Sequence, residues 1–193
     1  MPGLSEDDVA ADPIEQFQRW YADAPSEAVA LVTASPEAVP SGRMVLLKGV
    51  DPRGFAFYTN YASDKARDLE ANPRAALLFF WPPDRQVRVS GRVARTEPEE
   101  SERYWRTRPR GSQLSAWASR QSEVVENREV LEERVAELAR RFAGGEVPVP
   151  PFWGGYRLLP DAIEFWHHRD DRLHDRLRYR REGTGWILER LSP

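Results

Sequence analysis

Residues 172–180 read RLHDRLRYR, which places Arg172, His174, Arg176, Arg178 and Arg180 on every even position. Side chains two apart in an extended strand share a face. A strand here would line one side with cationic groups and the other with Leu173, Leu177 and Tyr179. Such a row is either a solvated outer face over a buried apolar stripe or a seat for an anion.

Other short polar groups punctuate apolar stretches. Arg43 and Lys48 flank Met44, Val45, Leu46 and Leu47, while Tyr58 and Thr59 close a β-rich run. Ser63 and Lys65 follow in a loop, Gln86 opens another run, and Gln121 and Ser122 lie further on. Each alone is ordinary at a strand end or turn. Together they offer many hydrogen-bond donors and few acceptors, which complements a ligand with a phosphate and a carbonyl-rich ring. All but two of the 28 basic residues are arginines, and the exceptions, Lys48 and Lys65, fall within these groups. An ammonium differs from a guanidinium in hydration and geometry, so both lysines are candidates for ligand contact.

Several chemistries are missing. Without cysteine there is no disulfide, thiolate metal site or cysteine nucleophile. His167, His168 and His174 are the only histidines; His167 and His168 would face opposite ways in a strand, which disfavours a two-histidine metal site. No G-x-S-x-G elbow, G-x-G-x-x-G turn or P-loop occurs. A bound organic cofactor is therefore the better redox candidate. A net charge of −3 gives no global field for nucleic acid. The acidic start, MPGLSEDDVAA, lacks a signal-peptide pattern, and no apolar run approaches spanning length, so the expected address is the cytoplasm with no membrane partner.

With 40% hydrophobic and 11% aromatic residues the chain should form one domain over 12–193, preceded by a flexible acidic segment at 1–11. Asp12-Pro13-Ile14-Glu15 signals a first helix. β-rich runs follow at 28–34, 43–48, 55–59, 75–81 and 86–94, with a hairpin turn at Asp51-Pro52-Arg53-Gly54. Short helices are expected after Ser63 and over 98–106, and a long one over 127–142. The last strands are expected at 154–158, 162–167, 173–180 and 185–190. Successive short strands point to a mainly β, antiparallel barrel with flanking helices.

The segments RMVLLKG (43–49), GFAFYTNYASDK (54–65), RQVRVSG (85–91), YWRTRPRGSQLSAWASRQS (104–122), PPFWGGYR (150–157) and EFWHHRDDRLHDRLRY (164–179) occur in order. Together they closely resemble the pyridoxine/pyridoxamine 5′-phosphate oxidase family over nearly the whole chain. The resemblance implies a split β-barrel homodimer that binds FMN at the subunit interface. It would oxidise pyridoxine or pyridoxamine 5′-phosphate to pyridoxal 5′-phosphate while O2 becomes H2O2. It further implies FMN contacts at Arg43 and the following Met44 to Leu47, and at Lys48, Tyr58, Thr59, Asp64 and Lys65. Gln86, Gln121, Ser122, Trp166 and Arg176 complete that set. The substrate phosphate would fall to Lys48, Tyr104, Arg108 and Ser112, with Arg172 and His174 as the catalytic pair beside the pyridine ring. Arg178 and Arg180 would be the solvated continuation of the row.

The chain departs from the family pattern at Asp64, where an arginine toward the FMN phosphate is usual. It also departs at His167-His168, which replace Gln-Gly, and at a shorter, acidic N-terminus. Two other readings stay open: a related flavin oxidase acting on another small aromatic, as in phenazine formation, and a non-catalytic flavin or pyridoxal phosphate carrier.

Overall fold

Helix α1 (Pro13–Tyr21) begins where the capping signal places it, the Asp12 carboxylate accepting from the N–H of Ile14 at 2.6 Å and of Glu15 at 3.3 Å. The structure, a computed structural model, describes residues 3–193. Phe17 on the inner face of α1 is fully buried and meets Phe55 and Phe79 edge-on, with ring centroids 4.8 and 4.9 Å away. This aromatic cluster plugs one end of the sheet.

The strands are β1 (Ala28–Ala34), β2 (Pro40–Leu46), β3 (Gly49–Asp51), β4 (Gly54–Asn60), β5 (Arg74–Trp81), β6 (Arg85–Arg95), β7 (Trp153–His167), β8 (Asp175–Glu182) and β9 (Gly185–Arg190). They pair antiparallel in the order β2-β1-β5-β6-β7-β4-β3, with β8 on β7 and β9 on β8, giving the mainly β split barrel. The helices α2 (Asp64–Ala71), α3 (Pro98–Thr107), α4 (Arg110–Ala118) and α5 (Arg128–Arg141) flank it. No helix among the described residues is long and apolar enough to cross a membrane.

Strand β7 differs from expectation by running unbroken through Pro160. Its first half pairs with β4 up to Leu158 and its second with β8 from Ala162, so residues 159–161 pair with neither. Pro160 thus lacks its N–H where no such bond is needed. On the other edge β6 shifts register at Ser90/Gly91, and a Cβ on Gly91 would lie 2.0 Å from the Leu159 carbonyl oxygen. Only glycine allows that approach.

Three further expectations are corrected. Helix α4 has no counterpart in the sequence reading: Gly111, Ser112 and Ser115 weaken its propensity, and tertiary burial of Leu114 and Ala118 supplies what propensity does not. Strand β8 starts at Asp175 instead of 173, because Arg172 adopts a left-handed φ of +65° and Leu173 turns outward, 66% exposed. The N-terminal segment, expected to be flexible, is docked in its described part; residues 1 and 2 lie outside the described range. Leu4 and Ala10 are buried, and the Tyr179 hydroxyl donates to the Ala10 carbonyl at 2.6 Å.

Candidate functional site

Strand β2 presents Met44 and Leu46 outward and half-buries Arg43 and Val45, while Leu47, just beyond it, is buried. The exposed pair floors a cavity of about 210 Å³ that is also bordered by Lys48, Tyr58, Thr59, Lys65, Tyr104, Arg108, Gln121 and Trp153. One wall is aromatic: Tyr58 stacks on Tyr104 at 4.1 Å and on Trp153 at 5.5 Å. Tyr58 on β4 lies opposite Gly155 on β7, where a Cβ would come within 2.8 Å of its ring and 2.4 Å of Thr96 Oγ1. The glycine lets the wall close.

Lys65, in the first turn of α2, is buried. Its Nζ donates to Gln121 Oε1 at 2.6 Å and to Thr59 Oγ1 at 3.3 Å. Among the described residues no carboxylate is within ion-pair reach of this ammonium. Burial, and then the nearby Arg43 charge, pull its pKa from 10.5 to about 8. Ser122 is adjacent, its Oγ accepting from the Asp64 N–H at 3.2 Å, so the N-terminal end of α2 opens beside Lys65. The Asp64 carboxylate is exposed and paired with Arg67, one turn on. Arg43 is tethered to β1 through Thr33 Oγ1 at 2.7 Å and the Leu31 carbonyl at 3.2 Å, with Asp68 at 3.8 Å.

Arg108, at the C-terminal end of α3, lies over the rings of Trp105 and Trp153 at 5.2 and 4.9 Å. Its Nη1 is buried with no hydrogen-bond partner, the state of a group built to meet a ligand. Arg108 also borders a neighbouring cavity of about 540 Å³ with Ser112, Tyr58, Thr59 and Gln121. Lys48 is nearby but paired with Glu27. Of the expected phosphate set, Lys48, Tyr104 and Arg108 border the smaller cavity, and Ser112 borders the neighbouring one with Arg108.

Gln86, Trp166 and Arg176 form a second, separate group. They lie side by side across β6, β7 and β8. The Trp166 ring is 4.7 Å from His174, which is 5.1 Å from His168. His174 Nδ1 accepts the Arg169 backbone N–H at 3.0 Å, so the neutral ring carries its proton on Nε2, free to donate. Arg172 and His174 lie in the loop before β8, so the even-numbered row of the sequence is not one strand face. The rest of that row is neutralised: Arg176 pairs with the buried Glu164 at 2.8 Å, and Arg178 and Arg180 reach Glu189 at 2.6 and 3.2 Å. None of the three cavities beside Arg108 is bordered by Gln86, Trp166, Arg172, His174 or Arg176. The two groups are separate within one chain.

The sequence reading missed Trp153, Glu27 and Glu164. Trp153 had a signal, a large aromatic placed directly before two glycines. The carboxylates had none, since only pairing across strands brings them to their cations.

Comparison with known proteins places the chain among relatives along nearly its whole length. Residues 15–141 match the family model described as pyridoxamine 5′-phosphate oxidase, and residues 153–193 match the pyridoxine 5′-phosphate oxidase C-terminal dimerisation region. The pyridoxine/pyridoxamine 5′-phosphate oxidase of Rubrobacter xylanophilus is 60% identical over 198 residues, covering 99% of this chain and 91% of that protein. The protein of the same name from Cupriavidus taiwanensis is 54% identical over 198 residues, covering 98% and 93%. Among solved structures, PhzG from Burkholderia lata 383, in complex with tetrahydrophenazine-1-carboxylic acid, has a TM-score of 0.92 at 35% identity over 98% of both chains. A pyridoxamine 5′-phosphate oxidase-related, FMN-binding protein from Nostoc punctiforme shares the fold, with a TM-score of 0.71 at 17% identity over 92% of this chain and 93% of that one. With two family models in register along it and relatives of more than half identity spanning it nearly end to end, the chain belongs to the pyridoxamine 5′-phosphate oxidase family.

Proposed function

We propose that this chain, as a homodimer holding FMN, oxidises pyridoxamine or pyridoxine 5′-phosphate to pyridoxal 5′-phosphate in the cytoplasm, with O2 reduced to H2O2. The observation that carries the reading is that Lys65 and Arg108, two cations without a carboxylate partner among the described residues, border one cavity. A cofactor and a substrate that each carry a phosphate ester are matched by such a pair of cations. The C-terminal dimerisation region supports the homodimer.

The residues present fit FMN. Lys65, Ser122, Gln121 and the open end of α2 would take its phosphate, with Arg43 behind them and Tyr58, Thr59 and the 44–48 segment along the ring. Asp64, paired with Arg67, would be held off that phosphate. Gln86, Trp166 and Arg176 would border the same flavin from the second subunit. When bound, FMN supplies the two-electron acceptor that O2 reoxidises. Lys48, Tyr104, Arg108 and Ser112 anchor the substrate phosphate and so fix its reacting carbon. Arg172 and His174 of the partner subunit hold the pyridine ring, His174 donating from Nε2. The Tyr58–Tyr104–Trp153 wall excludes water from that side.

The test is peroxide and pyridoxal phosphate formation by FMN-loaded protein given pyridoxine phosphate or pyridoxamine phosphate. The PhzG likeness favours a second reading, oxidation of a carboxylated tricyclic aromatic, which Arg108 could also anchor. Peroxide from a reduced phenazine carboxylate, and none from either pyridine, would overturn the first reading in favour of the second.

Lys65 sets a pH dependence. Its pKa of about 8 in the ligand-free chain lies below the ordinary 10.5, so above pH 8 it meets the FMN phosphate uncharged. The phosphate is already a dianion there, and the dissociation constant for FMN is expected to rise about tenfold per pH unit above pH 8. Stability of the ligand-free chain moves the opposite way. A depressed lysine pKa is a cost present below 8 that fades as pH rises toward 10.5, because the unfolded state then binds more protons than the folded one. Flavin fluorescence titrations and thermal melts across this range check both slopes, and Lys65→Met is expected to flatten both.

A further inference from the structure

The loop joining β7 to β8, residues 168–174, carries Arg172 and His174. Its internal bonds are local. The Arg169 carbonyl accepts from the Arg172 N–H at 3.2 Å, Asp171 Oδ1 accepts from the Leu173 N–H at 3.0 Å, and His174 Nδ1 accepts from the Arg169 N–H at 3.0 Å. Arg172 is exposed and left-handed, with φ at +65°. Local bonds in so exposed a loop compete with water and do not by themselves select one arrangement.

The base of the loop is held from elsewhere. Asp175, the next residue after His174, takes the Leu4 N–H on Oδ2 at 3.0 Å and Arg190 Nη1 on Oδ1 at 2.8 Å, while Arg169 Nη1 lies 3.8 Å from Oδ2. Arg190, the last residue of β9, grips the N-terminal segment with its remaining nitrogens. Nη2 donates to the Leu4 carbonyl at 3.0 Å, and Nε and Nη2 meet the two Glu6 oxygens at 2.8 and 2.7 Å. The strap fits closely as well: a Cβ on Gly3 would lie 2.3 Å from Arg169 Nη1 and 2.7 Å from Asp175 Oδ2. Three parts of the chain thus meet at one fork of charge-assisted bonds, immediately beside His174.

We propose that residues 3–8 and Arg190 form a clamp that positions the 168–174 loop, with Arg190, Asp175 and Glu6 as positioning residues acting through His174 and Arg172. The proposal rests on the functional reading given above for those two residues. Physically, Asp175 is fixed from β9 and from the strap, which fixes the first peptide of β8. His174 then keeps its ring against Trp166 with Nδ1 on the Arg169 N–H. None of the clamp residues borders the cavities beside Arg108, so their loss leaves the phosphate anchors in place.

The test uses the full-length, FMN-loaded dimer with Arg190→Gln, Arg190→Lys and Glu6→Gln. With only three histidines, selective 15N labelling resolves the imidazoles, and His174→Gln assigns the signal. The wild type is expected to show His174 locked with its proton on Nε2. In Arg190→Gln that signature should average toward both tautomers. Its kcat is expected to fall about tenfold with KM for the phosphorylated substrate changed far less, since misplacement and not anchoring is at fault. Glu6→Gln should lose about threefold, and Arg190→Lys should recover part of the loss because it keeps the charge but not the fork. Flavin content and melting temperature are expected to hold. An unchanged His174 signature in both Arg190→Gln and Glu6→Gln overturns the clamp, even if activity falls together with stability. A wild type that oxidises neither pyridine, yet shows the tautomer shift in Arg190→Gln, keeps the clamp and removes the functional reading instead.

Discussion

At substrate concentrations well below KM, two variants that each lose most of their activity, Arg108→Ala and His174→Ala, are expected to yield a working enzyme when one subunit of each is joined in a dimer. Of the proposed phosphate anchors, Lys48, Tyr104 and Arg108 border one cavity and Ser112 borders the next with Arg108, whereas Gln86, Trp166 and His174 gather around other strands, with no shared cavity between the two groups. If each site takes its anchors from one protomer and its ring-holding residues from the other, a hybrid dimer has one site with both lesions and one with neither. Coexpression with two affinity tags and sequential purification isolates the hybrid. At such substrate concentrations its activity is expected to be about half that of the wild-type dimer, against parents reduced about tenfold or more, because two-fold symmetry places one intact site in every hybrid. A hybrid as inactive as its parents would mean that each site is built within a single chain.

Arg108→Ala by itself is expected to raise KM for the phosphorylated pyridine by about tenfold to a hundredfold, the equivalent of a lost charge-assisted bond worth roughly 1.5–3 kcal/mol. Stability should change little, because its Nη1 already lacks a partner in the ligand-free chain and no other group is orphaned by its removal. The dissociation constant for FMN should stay within about twofold, since Lys65, Gln121 and Ser122 make the other anchor. Arg108→Lys is expected to rescue poorly: the planar fork lying over Trp105 and Trp153 is what aims the charge, and an ammonium does not stack. Steady-state kinetics with phosphorylated and unphosphorylated pyridoxine separate the anchor from the rest of the site. An equal loss on both substrates would assign Arg108 to something other than the phosphate.

What could be read in advance followed from local rules. Alternation marked most of the strands, and Asp12-Pro13 and Asn127 marked helix starts, because these depend on neighbours in sequence. Helix α4 escaped because neither its propensity nor its pattern is strong and its stability comes from packing of Leu114 and Ala118. The cationic row at 172–180 could be seen but not resolved. Whether it faced a ligand or a set of carboxylates depended on Glu164 and Glu189, which reach it only through pairing with β7 and β9. The residues proposed for the site came through family resemblance, motif by motif. Their separation into two groups was not legible, because it follows from how β6, β7 and β8 run relative to β4 and the helices.

Strand β7 carries that division. Trp153 starts it, in the aromatic wall beside Arg108, and Trp166 stands near its end, beside His174. At the usual rise per residue the two tryptophans lie up to roughly 40 Å apart along a paired strand that cannot fold back on itself. On the proposed site shared between protomers, dilution is expected to act on this protein as an off switch. Protomers separated by mass action would keep their barrels and lose their chemistry, so specific activity should fall with enzyme concentration around the dimer dissociation constant, well before any spectroscopic sign of unfolding.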